Sequence, residues 1–159
     1  MKKNLKKCLE NSVLLFLCIF LTVTLSCNGG NTLDLRKPLY SVSKPVYKSS
    51  LEDSSCLSGG VYFELYNRAD SDITQIETCM NVYDRKEKKL LSGKTIITKA
   101  DIVIPKKSSQ KLCISLDDYI TGFGEGGFYI DQFYVSLIVY SDGRKWKDSF
   151  GIYAVSGGE

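Results

Sequence analysis

From Gly60 to the end of the chain, apolar and polar residues alternate with a period of two, which is the pattern of half-buried β-strands. In the first of these stretches, Val61, Phe63 and Leu65 share one parity. The predicted strands cover residues 61–66, 73–83, 95–104, 111–116, 128–140 and 146–155. No stretch beyond residue 26 shows a helical period. Six or seven short strands predict an all-β fold, an antiparallel β-sandwich.

The last two predicted strands are joined by a short polar turn that contains Asp142 and Gly143. An Asp-Gly pair favours a type I′ hairpin because both residues tolerate positive φ. In strand 128–140 the residues expected to share one face are Phe133, Val135, Leu137 and Val139. In strand 146–155 the residues expected to share one face are Trp146, Phe150, Ile152 and Ala154.

The segment before residue 59 has a different composition. Residues 27–58 are rich in Ser and are interrupted by Pro38 and Pro45, which cannot donate a backbone hydrogen bond. We therefore expect a tether and an irregular lead-in, with residues 39–47 as a candidate edge strand. The β-sandwich domain is expected over residues 59–159.

The first 26 residues have the layout of a secretory signal peptide, whose apolar core forms a signal helix. A basic stretch precedes the 13-residue apolar run Val13–Leu25. As a helix this run reaches roughly 20 Å, less than the roughly 30 Å of a bilayer core, so an uncut membrane anchor is the weaker alternative. Export to the cell envelope is the expected localisation.

The net charge of +3 belongs to this leader. Four of the 21 Lys and Arg lie in the first ten residues, together with one of the 18 Asp and Glu, so the remaining charges balance. A neutral domain gives no electrostatic reason to expect a nucleic-acid partner.

Cys27 follows the small residues Thr24 and Ser26, at the point where the leader ends. The stretch resembles a bacterial lipobox in the relaxed form found in spirochaete lipoproteins, with Thr24 in place of the usual Leu. The resemblance implies that a lipid such as palmitate is attached to Cys27 and holds the protein on a membrane, inner or outer. The alternative is an ordinary residue or a disulfide partner.

Residues 60–155 resemble the small immunoglobulin-like domains of exported bacterial proteins. The residues that carry this resemblance are Asn67 and Ile73, Val82-Tyr83-Asp84, Ile138-x-Tyr140-x-Asp142-Gly143, and Trp146. It implies a fold and transfers no function.

Three cysteines lie beyond the leader and Cys27: Cys56, Cys79 and Cys113. Since three is odd, at most one disulfide forms among them. Cys79 with Cys113 is the first expectation, Cys56 with either partner is the alternative, and free thiols remain open.

The chain contains no His, so the commonest metal ligand and the usual base for a Ser or Cys nucleophile are missing. We predict no catalytic residue, no metal and no cofactor. Residues 122–127 match the spacing G-x-G-x-x-G, but a strand rather than a helix is expected after them, which favours a loop. The acidic group Asp117, Asp118, Glu125 and Asp131 is the one candidate for carboxylate chemistry.

Ten Tyr are many for 159 residues. Because Tyr is favoured at interfaces, aromatic residues on the polar strand faces and in the nearby loop form a candidate partner surface. These residues are Tyr62, Tyr66, Tyr134, Tyr140 and Phe123. The expected function is a lipid-anchored, non-catalytic binding or structural module of the cell envelope. The alternatives are a secreted hydrolase that uses the acidic group and an accessory subunit of an envelope complex.

Overall fold

The computed structural model describes residues 37–53, 56–120 and 127–157. The leader with its expected signal helix, Cys27 and Phe123 lie outside these ranges. The described chain forms eight strands and one 3₁₀ turn, Leu91–Gly93. The strands are β1 Tyr40–Val42, β2 Val46–Ser49, β3 Gly59–Asn67, β4 Ile73–Asp84, β5 Ile96–Ile104, β6 Ser109–Ser115, β7 Phe128–Tyr140 and β8 Lys145–Lys147.

The strands form two antiparallel sheets. In the first sheet, which we call sheet A, β3 lies between β6 on one side and both β1 and β2 on the other. In sheet B the order is β5-β4-β7-β8. The fold is the all-β antiparallel sandwich that the alternation of apolar residues predicted.

The core lies between the sheets and consists of the inward side chains of both. The largest fully buried apolar residues are Val61, Leu65, Ile73, Met80, Val82, Ile96, Ile104, Leu116, Phe133, Val135 and Ile138. Phe63 and Phe133 meet across the sandwich with their ring centroids 4.7 Å apart. Burial of apolar surface of this kind is the main stabilising term in folding.

The folded part begins earlier than the predicted boundary at residue 59. Tyr40 to Val42 pair with the C-terminal half of β3, and Val46 to Ser49 pair with its N-terminal half. The two short strands occupy the same edge, and Pro45 separates them, since a proline cannot complete the hydrogen-bond ladder. The candidate edge strand over residues 39–47 is thus confirmed as two short edge strands, and residues 40–49 belong to the sandwich.

The predicted face of the longest strand is only half correct. The register of β7 against β4 shifts between Val135 and Leu137, so the parity of the inward side chains changes at Ser136. Phe133 and Val135 are buried as expected, but beyond the irregularity it is Ile138 that enters the core. The Tyr140 side chain also enters the core. Leu137 and Val139 face outward, because a shift of one residue moves every later side chain to the other face.

The hairpin between β7 and β8 forms where it was predicted, but with a different turn. Gly143 has a φ of 83°, whereas Asp142 is not among the residues with positive φ, so the turn is not type I′. The amide of Gly143 donates to the carbonyl of Tyr140 and closes the turn.

The predicted strand over residues 146–155 ends at Lys147. The buried carboxylate of Asp148 accepts hydrogen bonds from three backbone amides at 3.0–3.1 Å, and these belong to Phe150, Ile152 and Tyr153. The chain therefore turns around Asp148 instead of continuing as a strand. As a result, Phe150 and Ile152 are exposed and do not share the buried face of Trp146.

Candidate functional site

The four predicted surface tyrosines do not share one face. Tyr62 and Tyr66 lie on the outer face of sheet A, where they pair with Cys113 and Ser109 of β6. Tyr134 lies in sheet B. Tyr140 is 4% exposed and belongs to the core, because the register shift at Ser136 turns its side chain inward. Its prediction as a surface residue is therefore wrong. The predicted partner surface is therefore reduced, within the described residues, to Tyr62 and Tyr66.

We call the outer face of sheet A around these residues the Tyr62 face. Val46 lies directly opposite Tyr62 on β2 and is 45% exposed, and Tyr66 is 36% exposed. The ammonium of Lys48 lies 5.0 Å from the centroid of the Tyr62 ring, within the range of a cation–π contact. The face thus combines aromatic and aliphatic surface with one Lys ammonium, and its tyrosines are of a residue type that protein interfaces favour.

Tyr66 borders a shallow groove of about 310 Å³ at one end of this face. Its other lining residues are Ser41, Val42, Ser43, Glu64 and Ser109. The hydroxyl of Ser43 accepts a hydrogen bond from the Glu64 amide at 2.9 Å, which fixes the loop between β1 and β2 against β3. The groove offers hydroxyls and one carboxylate beside an aromatic ring.

A pair of cysteines lies at the other end of the Tyr62 face. The sulfur of Cys56 is 3.3 Å from the sulfur of Cys113 and 3.9 Å from the hydroxyl of Tyr62. Cys79 lies in sheet B and opposite Tyr134. All three cysteines are free thiols in this structure. The structure thus brings Cys113 to the alternative partner, Cys56, and does not bring it to Cys79.

The crowded sulfurs alter the acidity of this cluster. Although Cys113 is exposed as a whole, desolvation of its sulfur, helped by the hydrogen bond with Cys56, raises the pKa of the thiol to about 11. Desolvation and the hydrogen bonds with the two sulfurs also raise the pKa of Tyr62 above its ordinary value. At neutral pH both groups carry their protons, so neither is an activated nucleophile.

A larger concavity of about 630 Å³ lies at one end of sheet B. It is lined by Arg85, Lys88, Tyr129, Ile130, Asp131, Ser156 and Gly157. The ring of Tyr83 stacks on that of Tyr129, with centroids 5.0 Å apart and planes 11° from parallel. Sequence reasoning missed this concavity, because nothing local to Arg85 and Lys88 shows that Tyr129 lies beside them.

This concavity is only partly equipped to hold a ligand. The Arg85 side chain donates from Nε to the Phe128 carbonyl at 3.3 Å, so one donor of its guanidinium is used in a hydrogen bond to the backbone. The Asp131 carboxylate accepts from the Ser156 hydroxyl at 3.1 Å. Of the polar lining residues, Lys88 and Tyr129 remain available to contact a ligand.

The acidic group does not act as one unit in the described residues. The Asp117 carboxylate accepts from the amides of Leu57 and Ser58 at 3.1 and 2.7 Å, and so anchors the loop before β3. The hydrogen bond from Ser58, above all, holds the pKa of Asp117 below its ordinary value, so this carboxyl is ionised at neutral pH. A general acid must be protonated, and Asp117 therefore does not suit that role. Asp118 is exposed, and Glu125 lies outside the described residues.

In the described ranges, no three His, Cys, Asp or Glu side chains lie close enough to hold a metal ion. Of the glycine-rich motif only Gly127 is described, and β7 follows it directly, which agrees with a loop rather than a nucleotide site. No helix between residues 37 and 157, where the chain is described, is long and apolar enough to cross a membrane. No protein-family model matches the chain, and no curated protein is found to be similar to it.

Proposed function

We propose that this protein is a lipid-anchored, non-catalytic binding module of the cell envelope, whose partner contacts the Tyr62 face. The observation that carries the proposal is the position of Cys27 between an export leader and a compact sandwich. Twelve residues, 28–39, separate Cys27 from β1, and fully extended they reach at most about 45 Å. A lipid on Cys27 therefore keeps the sandwich close to the bilayer surface.

The anchor needs the lipid because the leader alone does not supply it. Once the leader is cleaved, the apolar run is removed, and membrane attachment depends on acyl chains at Cys27. Each buried methylene contributes roughly 0.8 kcal/mol, and more than one chain is needed for stable attachment. Loss of the single Cys27 thiol is therefore expected to release the protein.

We predict that Cys27→Ala abolishes palmitate labelling and moves the protein from the membrane to the soluble fraction. The measurement is metabolic labelling with radioactive palmitate, followed by fractionation of the cells. Cys56→Ala is the matched control, since it removes a different thiol, and it should keep both the label and the membrane location. Equal labelling of the Cys27→Ala variant and the parent would contradict the anchor.

The binding role rests on the Tyr62 face rather than on the acidic group. Asp117 is used as a loop anchor, whereas Tyr66 and Val46 are exposed without a covering element among the described strands. An accessory subunit of an envelope complex would use such a surface. A secreted hydrolase would instead need a protonated carboxyl group beside a cleft, and Asp117 does not supply one.

We predict that a photoactivatable amino acid at position 66 cross-links to an envelope protein in intact cells. The matched control places the same amino acid at Phe150, an exposed aromatic residue that follows β8 of sheet B and lines neither concavity. Gel shifts after illumination, followed by mass spectrometry, measure the yield at each position. Cross-links from position 150 alone, or from neither position, would remove the Tyr62 face as the contact surface.

A further inference from the structure

The outer edge of β5 is the longest free strand edge among the described residues. β5 pairs with β4 along one side, and no strand among the described residues pairs with its other side. It has nine residues, whereas the edge strands β6 and β8 have seven and three, and the other edge of sheet A is divided at Pro45. A free edge presents unpaired amide and carbonyl groups that can accept another strand.

Two exposed aliphatic residues flank two opposite charges on the outer face of this strand. In chain order they are Ile97, Lys99, Asp101 and Val103. Ile97 is 59% exposed and Val103 is 67% exposed, so apolar surface remains uncovered at both ends of the strand. Between them, Gln75 donates a hydrogen bond to one carboxylate oxygen of Asp101. The other oxygen has no side-chain donor from β4.

This pattern is symmetric about Ala100. If a second copy of β5 pairs antiparallel with the first and the two Ala100 residues lie opposite each other, Lys99 faces Asp101 of the second copy. The register of β5 against β4 shifts between Asp101 and Ile104, so the charge pair lies in the regular part of the strand and Ile97 meets Val103 of the second copy where that part ends. Both contacts occur twice, because a two-fold axis makes the contact reciprocal. Opposite charges and aliphatic pairs directly across two strands stabilise a sheet, whereas like charges destabilise it.

The inner face of the strand fits the same register. Ile96 and Ile104 are buried in the core, and Ile102 packs against it, but Ala100 is exposed although it lies on the core side. The small side chains of two Ala100 residues can meet at the axis without crowding. Lys99 and Asp101 protect the edge from strands of arbitrary sequence, since a mismatched strand would leave their charges unpaired.

We propose that β5 is a homodimerisation edge, through which two copies of this protein join their B sheets into one continuous antiparallel sheet centred on Ala100. The partner is a second copy rather than another protein because the charge and aliphatic positions are complementary to themselves. The inference does not depend on the lipid anchor or on the Tyr62 face.

The register is tested by cysteine cross-linking of the full-length protein in cell envelopes. In the proposed dimer the Cα atoms of the two residues at position 100 are about 4.5–5.5 Å apart, within the range of a disulfide. The two residues at position 103 are about 20 Å apart, since six residues of strand separate them. Mild oxidation is therefore expected to give at least about tenfold more covalent dimer from Ala100→Cys than from Val103→Cys.

The charges are tested in the Ala100→Cys background. Asp101→Lys places like charges opposite each other twice and is expected to lower the dimer yield about tenfold. Adding Lys99→Asp to that variant restores opposite signs and should restore the yield. Circular dichroism of each variant checks that the sandwich is folded.

Three results would overturn the proposal. One is equal or negligible dimer yield from Ala100→Cys and Val103→Cys. Another is a cross-linked product whose mass is not twice that of the chain, which would show a different partner at the edge. The third is a double reversal that fails to recover the yield while the variant remains folded.

Discussion

Oxidation with glutathione disulfide is expected to link Cys56 to Cys113 and to raise the free energy of unfolding by about 2–4 kcal/mol. The two sulfurs already lie 3.3 Å apart, although 57 positions separate the residues in the sequence. A bond across so long a separation restricts the unfolded chain strongly, and this restriction is the main stabilising contribution in the chain-entropy account. The bond also ties the loop before β3 to β6.

Gly60 provides the room for this contact. A Cβ at that position would lie 2.6 Å from the Cys113 sulfur and 2.9 Å from the Cys56 sulfur. Any larger residue would therefore displace at least one of the two sulfurs. The register of β3 with β6 then places Cys113 beside Gly60 and Tyr62.

The reaction proceeds by two thiol–disulfide exchanges. The exposed Cys113 thiolate attacks glutathione disulfide and releases one glutathione, and the Cys56 thiolate then attacks the Cys113 sulfur and releases the second. The two thiols lose their protons and two electrons, and the glutathione disulfide is reduced. Because the pKa of Cys113 is raised to about 11, only a small fraction is thiolate at pH 7, and the rate should increase as the pH rises towards 10.

Mass spectrometry of the intact protein and of non-reduced peptides identifies the bond, and urea unfolding followed by the fluorescence of Trp146 measures its effect. Trp146 is the only tryptophan and is buried, so its emission reports unfolding. Cys79→Ser should keep the full gain, whereas Cys56→Ser should lose it. A linked peptide that contains Cys79, or a gain that survives Cys56→Ser, would show that the pairing seen in the structure is not the one that forms.

Asn67→Asp is expected to lower the free energy of unfolding by about 3–5 kcal/mol at neutral pH, the cost of an uncompensated buried charge. Asn67 is fully buried at the end of β3. Its amide nitrogen is 2.9 Å from the Ser71 carbonyl and 3.1 Å from that of Ile104, and its amide oxygen accepts from the Ala69 amide at 3.0 Å. A carboxylate removes both donors and places negative charge beside carbonyl oxygens.

The stability that Asn67→Asp loses should be larger at neutral pH than at low pH. Burial beside carbonyl oxygens raises the pKa of the introduced carboxyl in the folded state, since it disfavours the charged form. A raised folded pKa means that the variant is relatively more stable at low pH and that the full loss is present above the folded pKa. The protonated carboxyl can also donate one hydrogen bond, which the carboxylate cannot.

Urea unfolding of the parent and the variant at pH 4 and pH 7 measures this difference. Asn81→Asp is the matched control, because Asn81 is only half buried in β4 and the change there should cost less than about 1 kcal/mol. Equal losses at the two positions, or a loss at position 67 that is the same at both pH values, would show that the buried amide is not the cause.

Sequence alone determined where the strands lie along the chain more closely than which face of each strand is buried. The six predicted strands correspond to six of the eight observed, because alternation of apolar residues is a local property of each strand. The other two, β1 and β2, fall where a single candidate edge strand was predicted over residues 39–47, and they lie on either side of Pro45. They are strands because β3 offers them a partner. The leader and the position of Cys27 are likewise visible in the sequence alone, and the proposed anchor rests on them.

The tertiary structure decided which residues meet. The irregularity at Ser136 moved Tyr140 from the expected surface into the core, and no local pattern announces it, since it arises from pairing with β4. The register of β3 with β6 placed Cys113 beside Tyr62 and within reach of Cys56, and the division into two sheets separated Tyr62 from Tyr134. Parity and turn chemistry act over a few residues and can be seen in a sequence, whereas register and sheet packing join positions far apart in the chain. That is why the sequence predicted a β-sandwich, and only the folded chain showed which cysteines, tyrosines and strand edges it presents.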